Sequence, residues 1–333
     1  MSTGLVWATL VRWLDLFALA GVIGGFAVEL AVLPQASGEL TDVRRRVRRF
    51  GGAMLALLAG ATVAELVVRA ATMAGSVAAG IGAVPLVIGR THFGALWRLR
   101  VLGLALIAAL SVPSARGPRR LAFVVALGVA FTTAATGHAA DWGDFAPTAL
   151  VDWLHVVAAT TWTGGLICLT LVVLRAQSVA SPSAALAEIA ARFSRLAGLC
   201  AITVLATGAV NLWIELAEVS ALWTTTYGRI LAAKLACVAG LLALGAANRY
   251  RVLPALARER PAPGEQPSRA SESSTAAKML SRYVAREAIL AALVFACTAF
   301  LGQIAPPRHQ AMNHAMARVR PRILSLEVAG AGE

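Results

Sequence analysis

The sequence predicts an all-α fold: a polytopic membrane helical bundle with eight transmembrane helices, built as two parallel four-helix repeats. Three observations predict it. Of the 333 residues, 58% are hydrophobic and only 14% charged, with a mean hydropathy of +0.72, a balance outside that of ordinary soluble domains. Apolar runs of about 20 residues, the length that crosses a bilayer, recur along the chain. The arginines behind the net charge of +13 sit in short blocks between those runs, which positive-inside topology explains better than nucleic-acid binding does.

The eight spans are expected at 7–33, 50–74, 93–114, 119–140, 148–175, 192–217, 228–249 and 284–305. The first has no basic leader, and its apolar run is too long for a signal-peptide core, so it reads as a retained helix. An even number of spans puts both termini on one side. Arg44, Arg45, Arg46, Arg48 and Arg49 fill the first loop, and Arg116, Arg119 and Arg120 the third. Arg175 and Arg192 flank the fifth, and Arg249, Arg251, Arg258 and Arg260 open the seventh. These odd loops are therefore cytoplasmic and both termini lie on the outer, periplasmic side. Trp7, Trp13, Trp97, Trp142, Trp153, Trp213 and Trp223 form the aromatic belt of the outer boundary. Residues 258–277 are rich in Pro, Gly and Ser and read as a flexible cytoplasmic loop.

The halves repeat. WLDLFALAGVIGGF from Trp13 aligns with WLHVVAATTWTGGL from Trp153, placing Asp15 opposite His155. Arg49-Phe50 then matches Arg192-Phe193, Phe93-Gly94 matches Tyr227-Gly228, and Arg100 matches Lys234. Last, Thr133–Gly137 matches Thr298–Gly302. Four helices is an even number, so the repeats run parallel, about an axis near the membrane normal. The domains follow: 1–140, 141–305, and a periplasmic tail over 306–333.

The chemistry gathers between Thr136 and Leu166. His138 closes one apolar segment and His155 lies inside the next, with Asp141, Asp144 and Asp152 between them; ionisable groups inside such segments are costly and mark function. Asp152 and His155 share a helix face, with Trp162 seven residues on. In this topology all five histidines reach the outer face, so His138 and His155, with His92 as a further candidate, form an imidazole set for copper or another imidazole-binding metal. Asp152 or Asp15 would orient a ring, and Trp162 would be accessory. The tail interleaves His309, Met312, His314 and Met316, donors that favour Cu(I), as an auxiliary site. Arg100 and Lys234, about two turns inside their helices, either snorkel outward or pair with Glu65, Asp15 or a substrate; Glu65 and Arg69, four apart, can neutralise each other. Gly24-Gly25 and Gly164-Gly165 read as helix-packing positions. Cys168, Cys200, Cys237 and Cys297 lack metal spacing and read as small core residues.

The second half resembles the copper resistance protein D (CopD) family of bacterial inner-membrane proteins. The resemblance rests on GHAA at Gly137, DWLHVVAATTWTGGL from Asp152, RFSRLAGL at Arg192 and ATG at Ala206. It continues through TTYGRILAAKL from Thr225, ANRYRVLPAL from Ala247 and REAILAAL at Arg286. It implies an eight-helix protein that carries copper across the inner membrane, with a separate periplasmic chaperone of the copper resistance protein C (CopC) type as partner. LHxxAxxxW at Leu154–Trp162 also looks like the histidine helix of membrane haem proteins. The alternative reading is therefore a b-type haem held by the same histidines in an electron-transfer protein. No phosphate-binding loop is present, so primary pumping is not expected, and no catalytic residue is assigned: the chain reads as a non-enzyme unless haem gives it a redox role.

Overall fold

The computed structural model describes residues 3–34, 40–113, 115–137, 143–170, 184–216, 218–252, 254 and 275–308. Nearly all of these residues are helical: α1 (Thr3–Ala27, continued by a π turn, Val28–Val32), α2 (Thr41–Ala74), α3 (Val77–Arg90), α4 (His92–Ser111) and α5 (Arg116–Ala135). There follow α6 (Pro147–Cys168), α7 (Ala184–Glu215), the single turn α8 (Ala221–Thr224), α9 (Thr226–Ala247, continued by a π turn, Asn248–Val252) and α10 (Thr275–Leu301).

Among the described residues, seven helical stretches are long and apolar enough to cross a membrane: Thr3–Val32, Thr41–Ala74, His92–Ser111, Arg116–Ala135, Glu188–Glu215, Thr226–Val252 and Arg282–Leu301. The fifth expected span, α6, is not in that set. It is long enough, but Asp152, His155, Thr160, Thr161 and Thr163 dilute its apolar content. It nevertheless lies at the centre, packed on α1, α5, α7 and α10.

Three boundaries differ from expectation. The arginine block 44–49 is helical, because nothing between Thr41 and the apolar run breaks the helix, and α2 runs on until Gly75 takes the left-handed conformation (φ +80°) that ends it. The short α3 stands where a loop was expected. At 14 residues it is about 21 Å long, too short to span a bilayer, and it packs between α2 and α4 with Val77, Ile81 and Leu86 exposed. At the far end, α10 begins at Thr275, inside the expected 258–277 loop; residues 258–274 lie outside the described residues.

The centre of the bundle is the crossing of α1 and α6. A Cβ on Gly24 would fall 2.1 Å from the Gly164 carbonyl carbon, and one on Gly164 would fall 1.8 Å from Ala20 O, so this backbone approach demands glycine on both sides. Each of these inner helices is tied to an outer neighbour by an indole: Trp13 Nε1 donates to Ala292 O (3.1 Å), and Trp153 Nε1 donates to Leu127 O (2.9 Å). The apolar core divides accordingly. One cluster around Leu19, Ile23, Leu58, Ala126 and Val129 fills the first half, and another around Trp162, Leu166, Phe193 and Leu241 fills the second.

Candidate functional site

At the His92 end of the second half, α6, α7 and α9 bring polar side chains together below the helix ends. His155 lies eight residues into α6, about 12 Å along the helix. Its Nδ1 is 3.0 Å from Thr207 Oγ1, and the Thr207 hydroxyl donates its own proton to Thr203 O (2.6 Å). Nδ1 must therefore be the donor to Thr207, which leaves Nε2 with a free lone pair. A Cβ on Gly208 would lie 3.3 Å from His155 Cε1, so a glycine at that position of α7 lets the ring lie close against the helix.

One turn nearer the helix start, Asp152 Oδ1 accepts from Asn211 Nδ2 (2.9 Å). Its other oxygen faces Gly137, on which a Cβ would lie 4.0 Å away. Gly137 is the residue before His138, which lies outside the described residues. Beyond Asn211, Glu215 accepts a hydrogen bond from the buried Tyr227 hydroxyl, and Lys234 of α9 lies within electrostatic reach of Asp152, Glu215 and His155. At the exposed rim Arg308 donates to Trp213 O and Ile214 O (both 3.3 Å).

The other expected donors are placed differently. His92 is exposed (61%) and pairs with Asp144 at 3.0 Å. His309, Met312, His314 and Met316 lie outside the described residues. Among the described residues no group of three or more His, Cys, Asp and Glu side chains is arranged to hold a metal ion. Trp162, two turns below His155, lines a cavity of about 630 Å³ toward the opposite end, together with Phe193, Asn248 and the buried Glu287; Asn248 Nδ2 donates to Glu287 Oε1 (2.6 Å). The four cysteines are free thiols.

In the first half the charges are paired with one another. Asp15 is fully buried and accepts from Arg100 at 2.5 Å. Arg100 also donates to the hydroxyls of Thr62 (3.2 Å), Thr132 (2.9 Å) and Thr133 (3.0 Å), so it is held inside the bundle and does not snorkel. Glu65 pairs with Arg12 (3.3 Å), not with Arg69, whose guanidinium stacks over Phe93. Arg12 also stands 3.8 Å from Asp15.

Sequence reasoning passed over two features. Glu29, in the π turn after α1, is buried and binds Arg48 of α2 (2.8 Å) and Arg119 of α5, joining three helices at the Arg48 end. A lone acid in an apolar run facing two arginine blocks was its signal. The other is Thr207, Asn211 and Glu215, whose four-residue spacing puts them on one stripe of α7.

Two family models match the chain: Copper resistance protein D-like, N-terminal domain, over residues 1–145, and Copper resistance protein D over residues 187–301. The segment between them, which includes α6, falls in neither. The Copper resistance protein D of Pseudomonas syringae pv. tomato is 29% identical over 266 residues, covering 75% of this chain and 81% of the relative. The Copper transport protein CutJ of Bacillus subtilis (strain 168) is 28% identical over 223 residues, 63% of this chain but 40% of that protein's length. No solved structure matches the chain.

Proposed function

The chain belongs to the copper resistance protein D family, and from that premise we propose that this multi-pass membrane protein binds copper at the periplasmic face and carries it across the bacterial inner membrane. In this reading α6 is the eighth span, the two halves are parallel repeats, and the His92 end and both termini face the periplasm. His155 Nε2 and His138 are the copper donors and Asp152 positions them. His92 with its partner Asp144 guides the ion inward from the rim. A separate chaperone of the CopC type delivers the ion, and the tail donors His309, Met312, His314 and Met316 assist loading. The membrane potential, negative inside, draws the cation inward.

One observation carries the assignment. The Asp152 carboxylate lies between the His155 turn and Gly137, the residue that leads into His138, while the Thr207 bond leaves the ring nitrogen of His155 free to donate. A single soft cation with two imidazoles needs no more than that.

The test is elemental analysis for copper and iron on the detergent-purified protein, beside its visible spectrum and those of His138→Ala and His155→Ala. The expected result is a colourless protein whose copper content falls in both variants while membrane insertion is unchanged. Copper content equal to wild type in both variants refutes the site. A Soret band with stoichiometric iron replaces the copper reading with the haem one.

A further inference from the structure

Each half carries a cavity at the Arg48 end, and the two cavities lie at matching positions. The registers pair Trp13 with Trp153, Phe50 with Phe193, Gly94 with Gly228 and Thr133 with Thr298. By them, Val22, Gly51 and Ala108, which line the first cavity, correspond to Trp162, Ser194 and Leu242, which line the second. The first measures about 300 Å³ and holds the cluster in which Glu29 binds Arg48 and Arg119. In the second half those three positions are Leu169, Ala191 and Val284. The ion cluster therefore has no counterpart there, and the cavity measures about 630 Å³.

What lines the second cavity instead is chemically different. Three residues past Val284, Glu287 of α10 enters the wall where the first half has Ala122, and it is buried. Its carboxylate is met by an amide in place of guanidiniums, Asn248 Nδ2 donating to Oε1 at 2.6 Å. Asn248 leaves its own Oδ1 buried and, among the described residues, without a donor. A buried acceptor without a partner is costly, so this wall calls for a donor, and the carboxylate beside it calls for a positively charged one. The rim has the opposite character. Arg195 and Arg249 line it, both exposed, and the Arg249 guanidinium is held there by Ser194 O (3.3 Å). Leu199 and Ile202 of α7 also edge the cavity while standing 65% and 68% exposed; on a helix that crosses a membrane, such a face looks onto lipid, so the cavity opens into the bilayer.

An acceptor wall, a cationic rim and an apolar body open to lipid fit one class of membrane constituent. We propose that this cavity binds a phospholipid whose headgroup carries a primary ammonium, drawn from the leaflet at the Arg48 end. The ammonium donates to Glu287 and Asn248 Oδ1, the phosphate meets Arg195 and Arg249, and an acyl chain lies against Trp162 and Phe193. A trimethylammonium headgroup has no N–H to donate and a glycerol headgroup has no positive charge, so both bind less well. The site shares no residue with the proposed copper donors and stands or falls without them.

Native mass spectrometry tests this on the full-length detergent-purified protein, titrated in turn with phosphatidylethanolamine, phosphatidylcholine and phosphatidylglycerol of identical acyl chains. Wild type is expected to bind one phosphatidylethanolamine about tenfold or more tightly than either other lipid. Glu287→Gln, which keeps the shape and removes the charge, should bring phosphatidylethanolamine down to the level of phosphatidylcholine and leave the other two unchanged. Arg195→Gln combined with Arg249→Gln should weaken all three lipids by about tenfold or more; both positions are exposed, which keeps the test open should Glu287→Gln fold poorly. Equal affinity of wild type for the three lipids, a Glu287→Gln variant that keeps the preference, or a rim variant that binds like wild type overturns the proposal.

Discussion

Replacing Asp15 by Asn tests whether the first half is held together by its ion pairs. Asp15 is fully buried, the Arg100 guanidinium it binds at 2.5 Å is almost as buried, and Arg100's other partners are three neutral hydroxyls. The variant keeps the shape of the side chain but leaves an uncompensated cation between α1, α2, α4 and α5. Removing one member of a buried pair costs about 3–5 kcal/mol. Replacing both members by groups of similar size costs far less, so Asp15→Asn with Arg100→Met should recover most of the loss, a coupling of about 2 kcal/mol or more. The assay is reversible unfolding in mixed detergent, followed by tryptophan fluorescence, across wild type, both single variants and the double variant. An Asp15→Asn loss under about 1 kcal/mol, or a double variant that loses the sum of the singles, would refute the argument that the pair closes this half.

Three further outcomes follow from the same geometry. Gly164→Ala, whose new methyl would lie 1.8 Å from Ala20 O, should destabilise by about 1–3 kcal/mol or more, whereas Gly60→Ala, with nothing within 4 Å, should be neutral or slightly stabilising; thermal unfolding of the pair reads both. Thr207→Val removes the acceptor that fixes the His155 tautomer and should weaken copper binding by about tenfold or more in a competition titration, with little change in the unfolding midpoint. Glu29→Gln strips the charge that joins Arg48 and Arg119 and should cost about 3 kcal/mol in the same unfolding assay, an effect that vanishes if the cluster is solvated and loose.

The expected spans were legible because a bilayer imposes one length and one polarity on every crossing, and α1, α2, α4, α5, α7, α9 and α10 carry both signals. The short α3 was not, since 14 residues containing Pro85 and three glycines read equally well as a loop; packing on Ala70 and Ala71 of α2 is what orders it. Single charges within the spans were legible as exceptions to apolar composition, and Asp15, Glu65, Arg100, Asp152 and His155 were found that way. Their pairing was legible only in part: Asp15 stood among the partners offered to Arg100, whereas Arg12 with Glu65 did not appear. Arg12 reaches Glu65 across 53 positions and Arg100 reaches Asp15 across 85, distances over which periodicity cannot choose among candidate partners. Thr207 and Asn211 were hidden for a related reason: each is unremarkable alone, and only the closeness of α7 to α6 turns them into partners of His155 and Asp152.

The long helix that falls short of the apolar content of a membrane span is also one packed on four neighbours, and these facts belong together. Asp152, His155 and three threonines would be poorly placed against lipid, so α6 gains by lying between α1, α5, α7 and α10, where hydroxyl, amide and carbonyl partners are available. Burial alone does not set the height or rotation of a helix, and a ligand displaced by a fraction of an ångström is a poor ligand. The glycine crossing supplies that constraint. Gly164 lies nine residues beyond His155, about 13 Å along the same rigid helix, and its backbone contact with Ala20 leaves no freedom to slide. Trp153, two residues before His155, pins the other side of α6 to Leu127 O. Between these two fixed points the imidazole is held by its scaffold before any ion arrives. The proposed copper site would draw on that property, since affinity can come from few donors when the protein has already met the cost of placing them.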